Sequence, residues 1–117
     1  MQVALTAALA WIWVEAGLRS EGRRRTLAAM SLIDSATPPL AEAMLLASWS
    51  RIAFPDIGPR ELAADSRAIE IYRSLGDRQR LFAATCEQAR TLAILGVHAQ
   101  AQRVVLEAEH SWDHSWP

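Results

Sequence analysis

Apolar residues recur along this chain at spacings of three and four, and a few glycines and prolines break that rhythm into six predicted helices. Val97, Ala101, Val104, Val105, Ala108 and Trp112 share one face of a helix over about 97–112. Ala64, Ala68, Ile71, Tyr72 and Leu75 do the same between Pro59 and Leu75. The other segments run over about 2–16, 20–35, 39–53 and 77–95. The breaks are Gly17, Thr37-Pro38-Pro39, Phe54-Pro55-Asp56-Ile57-Gly58, Gly76 and Gly96. Glycine suits the residue after a helix and proline its first turn. Ser20 and Asp77 are expected to cap the helices that follow them. No stretch alternates with period two for long enough to make a strand, so the fold class is all-α.

The N-terminal segment is less two-faced than the others. Val3 to Val14 is almost wholly apolar, which predicts a helix buried on most sides. It is too short to cross a bilayer, which takes roughly 20 apolar residues. It also lacks the basic start of a secretory signal. No membrane association is expected.

A longer period overlies the short one. Odd-numbered helices begin near residues 2, 39 and 78, and even-numbered ones near 20, 59 and 97. A step of 37 to 39 residues lies in the range of stacked helix pairs. Short loops make each pair antiparallel, and each pair has a face that only a neighbour can bury. The predicted architecture is a right-handed superhelical stack of three antiparallel pairs. It forms one domain over 1–109, with repeats at about 2–36, 39–76 and 78–109 and a tail over 110–117.

The segment Ala68-Ile69-Glu70-Ile71-Tyr72-Arg73-Ser74-Leu75-Gly76-Asp77 resembles the end of a tetratricopeptide repeat. Ala89, Leu92, Gly96, Ala101, Val105 and Ala108 resemble a complete unit. Ala10, Trp13, Gly17, Gly22 and Ala29 resemble another. Trp11-Ile12-Trp13-Val14-Glu15-Ala16-Gly17 followed by Glu21-Gly22-Arg23-Arg24 is similar to the repeat region of bacterial LuxR-type and winged-helix regulators that carry an ATPase domain. The resemblance covers about residues 3–109. It implies a sensing or scaffolding module of a larger cytoplasmic transcriptional regulator, bound to a protein, a peptide or a small inducer. The middle unit departs from the pattern: Trp49 stands where a small residue is usual, and Glu61 where alanine is usual. Either the register slips there or that pair packs loosely.

Charge and composition narrow the function classes. The net charge is −1, so no broad basic face for nucleic acid is expected. All twelve cations are arginine, and alanine occurs 22 times, which favours helix throughout. Cys86, the only cysteine, excludes an internal disulfide and fits a reducing compartment. No G-x-x-x-x-G-K-[ST] run is present to cradle a triphosphate. No cofactor and no catalytic residue are expected.

Several residues invite sharper chemistry. His110 and His114, four apart on a helix with Asp113 between them, could chelate zinc, and this underlies the alternative of a metal-binding protein or hydrolase. The plainer reading is a solvated C-terminus. Cys86 and His98 could pair as nucleophile and base, against the reading of Cys86 as a small buried thiol. Arg23, Arg24 and Arg25 could grip a phosphate, or simply line a solvated face near Glu21. Of the five tryptophans, Trp11 and Trp13 cannot share one side of a helix, so one belongs to the core. By the resemblance, the first helix of each pair lines a concave groove, which puts Trp11, Glu15, Ser50 and Arg90 there. The apolar first helix also predicts self-association.

Overall fold

The computed structural model describes residues 2–15 and 17–116, and of Gln2, Trp11, Val14 and Glu15 only the backbone. The protein is all-helical. Its elements are α1 (Gln2–Glu15), α2 (Arg19–Met30), α3 (Pro39–Ala53), α4 (Pro59–Leu75), α5 (Arg78–Ile94) and α6 (His98–Ser111), with no strand among the described residues. No helix is long and apolar enough to cross a membrane.

Three helices end by the same device; at Gly76, with φ of 69°, the Asp77 N–H turns back to the Tyr72 carbonyl at 3.1 Å. Gly17 and Gly96 have φ of 72° and 81°, a left-handed backbone that side chains other than hydrogen disfavour. Each lets the next residue turn back: Leu18 N–H donates to the Trp13 carbonyl at 2.8 Å, and Val97 N–H to the Leu92 carbonyl at 2.9 Å. The middle hairpin has no such glycine, and the Phe54–Gly58 loop replaces it. α4 begins at Pro59, and the Glu61 side chain reaches back to accept from the Gly58 N–H at 3.0 Å. Asp77 caps α5 as expected, accepting from the Arg80 N–H at 3.2 Å.

Two local expectations are corrected. α2 stops at Met30 rather than Ser35, because Asp34 organises its own turn. Its carboxylate accepts from the Ala36 N–H, its carbonyl from the Thr37 N–H, and its N–H donates to the Thr37 hydroxyl. Ser20 caps nothing, since α2 already starts at Arg19 behind Leu18, whose side chain offers no acceptor.

α3 is the centre of the packing. It lies close to α1, α2, α4 and α5, whereas among the described residues the backbone of α6 comes close only to that of α5. The backbones of α2 and α4, of α4 and α6, and of α1 and α6 do not approach one another closely among the described residues, although Leu62 of α4 packs against the core of α5 and α6. One core seals α1 and α2 onto α3 through Val3, Ala7, Ala29, Ala41 and Leu45. A larger one joins α3, α4 and α5 through Leu46, Trp49, Ala68, Ile71, Tyr72 and Ala84. A third joins α5 and α6 through Ala89, Leu92, Ala101 and Val104. Gly22 allows the close approach of α2 to α1, because a Cβ there would lie 2.8 Å from the Cβ of Trp13.

The ends of the molecule differ from expectation. α1 is buried on one face, through Val3, Thr6, Ala7 and Ala10, and not on most sides. Leu5 is 57% exposed and Ile12 39%. In α6, Val105 and Trp112 leave the predicted core face: Val105 is 45% exposed, and Trp112 lies just beyond the helix. No further helix packs over Val105. Trp112 instead joins Phe82 and Trp116, with ring centroids 4.9 to 5.7 Å apart, and the Arg78 guanidinium stands 5.8 Å from the Trp116 ring.

Candidate recognition groove and its supporting network

One shallow recess is lined by residues of α1, α3 and α5, with Tyr72 of α4 at its base. Ala7 of α1, Met44, Ala47 and Arg51 of α3, and Ala83 and Glu87 of α5 line a space of about 210 Å³. Arg51 and Glu87 form an ion pair across it at 3.0 Å. Two stripes of identical spacing build the walls: residues 44, 47, 48 and 51 in α3, and residues 80, 83, 84 and 87 in α5. Residues three and four apart share a helix face, so α5 presents Ala83 and Ala84 between Arg80 and Glu87, and α3 presents Ala47 and Ser48 between Met44 and Arg51. Arg80 extends the rim and is tied to Asp77 at 2.7 Å, which holds the Asp77 carboxyl below its ordinary range.

The residues placed in the groove by resemblance divide. Ser50 is fully buried and is corrected to a supporting residue: its hydroxyl donates to Asp65 Oδ1 at 3.1 Å. Arg90 does not line this recess; it stands 3.5 Å from Glu87 and 5.1 Å from the Phe54 ring centroid, beside the recess between α5 and α6. The side chains of Trp11 and Glu15 lie outside the described residues.

Asp65 is the main site that periodicity did not reveal. It is 1% exposed, and its second oxygen accepts from the Thr91 hydroxyl at 2.6 Å. Hydroxyls of α3 and α5 thus converge on one carboxylate of α4. Burial pushes Asp65 up to about 6, and the Glu87 charge adds to the rise. The Thr91 and Ser50 hydrogen bonds and the Arg90 charge act the other way. The net result is a carboxyl poised to hold a proton in mildly acidic conditions.

The two departures of the middle unit turn out to be one feature. Trp49 and Glu61 are both buried, and Trp49 Nε1 donates to Glu61 Oε2 at 3.1 Å. The Arg60 guanidinium lies 5.7 Å from the Trp49 ring centroid. The large ring fills the space that a small residue would leave, and the carboxylate satisfies its N–H. The pair is tightly packed, not loose.

The remaining candidates separate clearly. Cys86 is exposed, not the small buried thiol expected. Partial burial and the Glu87 charge push its pKa up, which opposes nucleophilic use. Arg24 and Arg25 both bond Glu21, whose pKa the two arginines lower, Arg25 most, and Arg23 bonds Asp56 at 2.9 Å. These contacts are exposed, so the basic run is a solvated, internally paired face. α6 ends at Ser111, so His110 and His114 do not share a helix face. His114 Nδ1 instead accepts from Trp112 Nε1 at 3.2 Å, and Asp113 is occupied by the Ser115 N–H and hydroxyl. Among the described residues no group of three histidine, cysteine or acidic side chains could hold a metal ion.

No family model, no curated protein and no solved structure matches the chain.

Proposed function

We propose that this chain is a helical-repeat recognition module: three antiparallel helix pairs stacked as a right-handed, tetratricopeptide-like superhelix, binding an extended peptide or small inducer as the sensing or scaffolding part of a bacterial regulator. The observation that carries this reading is the recess across α1, α3 and α5. Nine of its ten lining residues belong to the first helix of a pair, Tyr72 of α4 being the exception, and α3 approaches both α1 and α5 closely while, among the described residues, the second helices do not approach one another. That offset is what a stack of pairs requires. Small side chains on the floor leave room for a ligand, and Arg51, Glu87 and Arg80 supply charge at its edge. The ligand favoured by this lining is a short peptide with a small apolar residue flanked by acidic ones. Recognition there is positional, and no bond is made or broken.

A phage-displayed library of random twelve-residue peptides tests the reading. Enriched peptides, measured by fluorescence anisotropy, should lose at least tenfold in affinity when Ala83→Trp fills the exposed edge of the recess, with the thermal midpoint unchanged. Failure to enrich any peptide, or binding indifferent to Ala83→Trp, overturns the groove assignment.

A further inference from the structure

The joint between α4 and α5 is repeated, unfilled, at the two ends of the chain, and its chemistry changes in step on both sides. In that joint Thr91 donates to Asp65, and Gln88 Nε2 donates to the Ser66 hydroxyl at 3.0 Å. Ala84 completes the α5 face, packed in the central core. The matched terminators at Gly17 and Gly96 set the register of α1 on α5. Leu5, Leu9 and Ile12 then stand where Ala84, Gln88 and Thr91 stand. In the other half, Glu61, Ala64 and Ala68 are buried in α4 at the spacing of Ala101, Val104 and Ala108 in α6. Val105 and Leu106 therefore stand where Asp65 and Ser66 stand.

Both polar pairs of the filled joint thus have apolar counterparts at the ends. Asp65 with Thr91 becomes Val105 with Ile12, and Ser66 with Gln88 becomes Leu106 with Leu9. Leu5 and Ile12 are exposed on α1, and Leu9 is half-buried. Val105 and Leu106 are exposed beside a recess of about 640 Å³ between α5 and α6, where Ala89, Ala93 and Ala101 form the floor. No charged residue occurs between Gln2 and Val14 to oppose entry into that recess. Its one cation, Arg90, is already engaged by Glu87 and by the Phe54 ring.

We infer that the face formed by α5 and α6 accepts α1 of a second copy of this chain, with Ile12 and Leu9 seated on Val105 and Leu106. This rests on the repeat reading above, and it gives the N-terminal helix an acceptor. The two surfaces differ, so the contact is head-to-tail. It leaves one free donor and one free acceptor on every open assembly, so chains of copies follow, or rings where the rotation closes. The groove across α1, α3 and α5 stays open in each copy.

Light scattering coupled to size exclusion, over a hundredfold range of concentration, tests this on the full chain. The wild type should gain mass with concentration. Ile12→Glu and Val105→Glu, both at exposed positions, should each remain monomeric with an unchanged far-ultraviolet helix signal. Their equimolar mixture should form a dimer and stop, because each variant keeps the half that the other lacks. A wild type monomeric throughout, single variants that still assemble, or a mixture that stays monomeric overturns the proposal. The peptides selected above, measured on the monomeric variants, separate the two ideas. Peptide binding without assembly leaves the groove standing, and assembly without peptide binding leaves the joint standing.

Discussion

The two internal joints of this molecule are made differently. Where α1 and α2 meet α3, the seal is apolar: Val3, Ala7, Ala29, Ala41 and Leu45 close it. Thr26, fully buried in α2, finds no partner for its hydroxyl among the described residues. Where α3 and α4 meet α5, polar groups lie inside the seal. Trp49 bonds Glu61, Ser50 and Thr91 bond Asp65, and Arg51 pairs with Glu87 nearer the surface. By the buried spacing of Gly22, Thr26 and Ala29 in α2 and of Glu61, Asp65 and Ala68 in α4, Thr26 and Asp65 occupy corresponding positions. The same site of the repeat can therefore be filled by an orphaned hydroxyl or by a satisfied carboxylate. The apolar joint tolerates sliding, since methyl contacts are not directional. The polar one fixes a register, since each bond is lost by a shift of an ångström or two.

Trp49→Ala breaks the polar joint most severely. It leaves a large cavity and orphans a buried Glu61 oxygen, and aromatic-to-alanine changes in cores cost about 3–5 kcal/mol. Urea unfolding should show a loss at the upper end of that range, and a loss below about 1 kcal/mol would refute the account of Trp49 and Glu61 as one unit.

Asp65→Asn sharpens the comparison through pH. The folded Asp65 holds its proton up to about 6, against an ordinary 3.8 in the unfolded chain. Between those values the folded state binds the extra proton, so stability falls as pH rises from about 4 to about 6 and stays lowered above. With each pKa unit worth about 1.4 kcal/mol, the penalty above pH 6 is on the order of 3 kcal/mol. Asparagine keeps an acceptor and a donor for the two hydroxyls without the charge. Thermal unfolding should find the variant more stable at pH 8 and equal to the wild type near pH 4. A constant gap between them at all three of pH 4, 6 and 8 would mean that Asp65 carries no shifted titration.

Thr26→Val has the smallest expected effect. Replacing an unpartnered buried hydroxyl with a methyl of similar shape should raise stability by about 1 kcal/mol. A loss of that size in urea unfolding would show that the hydroxyl has a partner after all.

Much of the local structure was legible in the residues. Helix ends at Gly17, Gly76 and Gly96 and starts at Pro39 and Pro59 fall within a residue or two of expectation, because backbone sterics at glycine and proline act within one turn. The groove stripes were legible too, as 44, 47, 48, 51 and 80, 83, 84, 87, but nothing local says which of a helix's faces lies open. Ser50 shows the difficulty. It stands beside Trp49 and Arg51 on α3 yet is fully buried, while Arg51 faces the recess. In the sequence Trp49 and Glu61 stand out only singly, since propensity and pattern weigh residues one at a time and a hydrogen bond belongs to two.

The order of the amino acids alone determined six helices, the ends marked by glycine and proline, and their repeating spacing, because those follow from interactions within a few residues. Only the tertiary structure decided that Asp65 would sit between two hydroxyls, that Cys86 would face out, that the last tryptophans would close on Phe82, and that α1 and α6 would each keep an uncovered apolar side. Those outcomes depend on what arrives from distant parts of the chain, as Ser50 and Thr91 reach Asp65 from 15 and 26 residues away. Burial, which sets the energy of a charge or a methyl group, is a property of the neighbours and not of the residue.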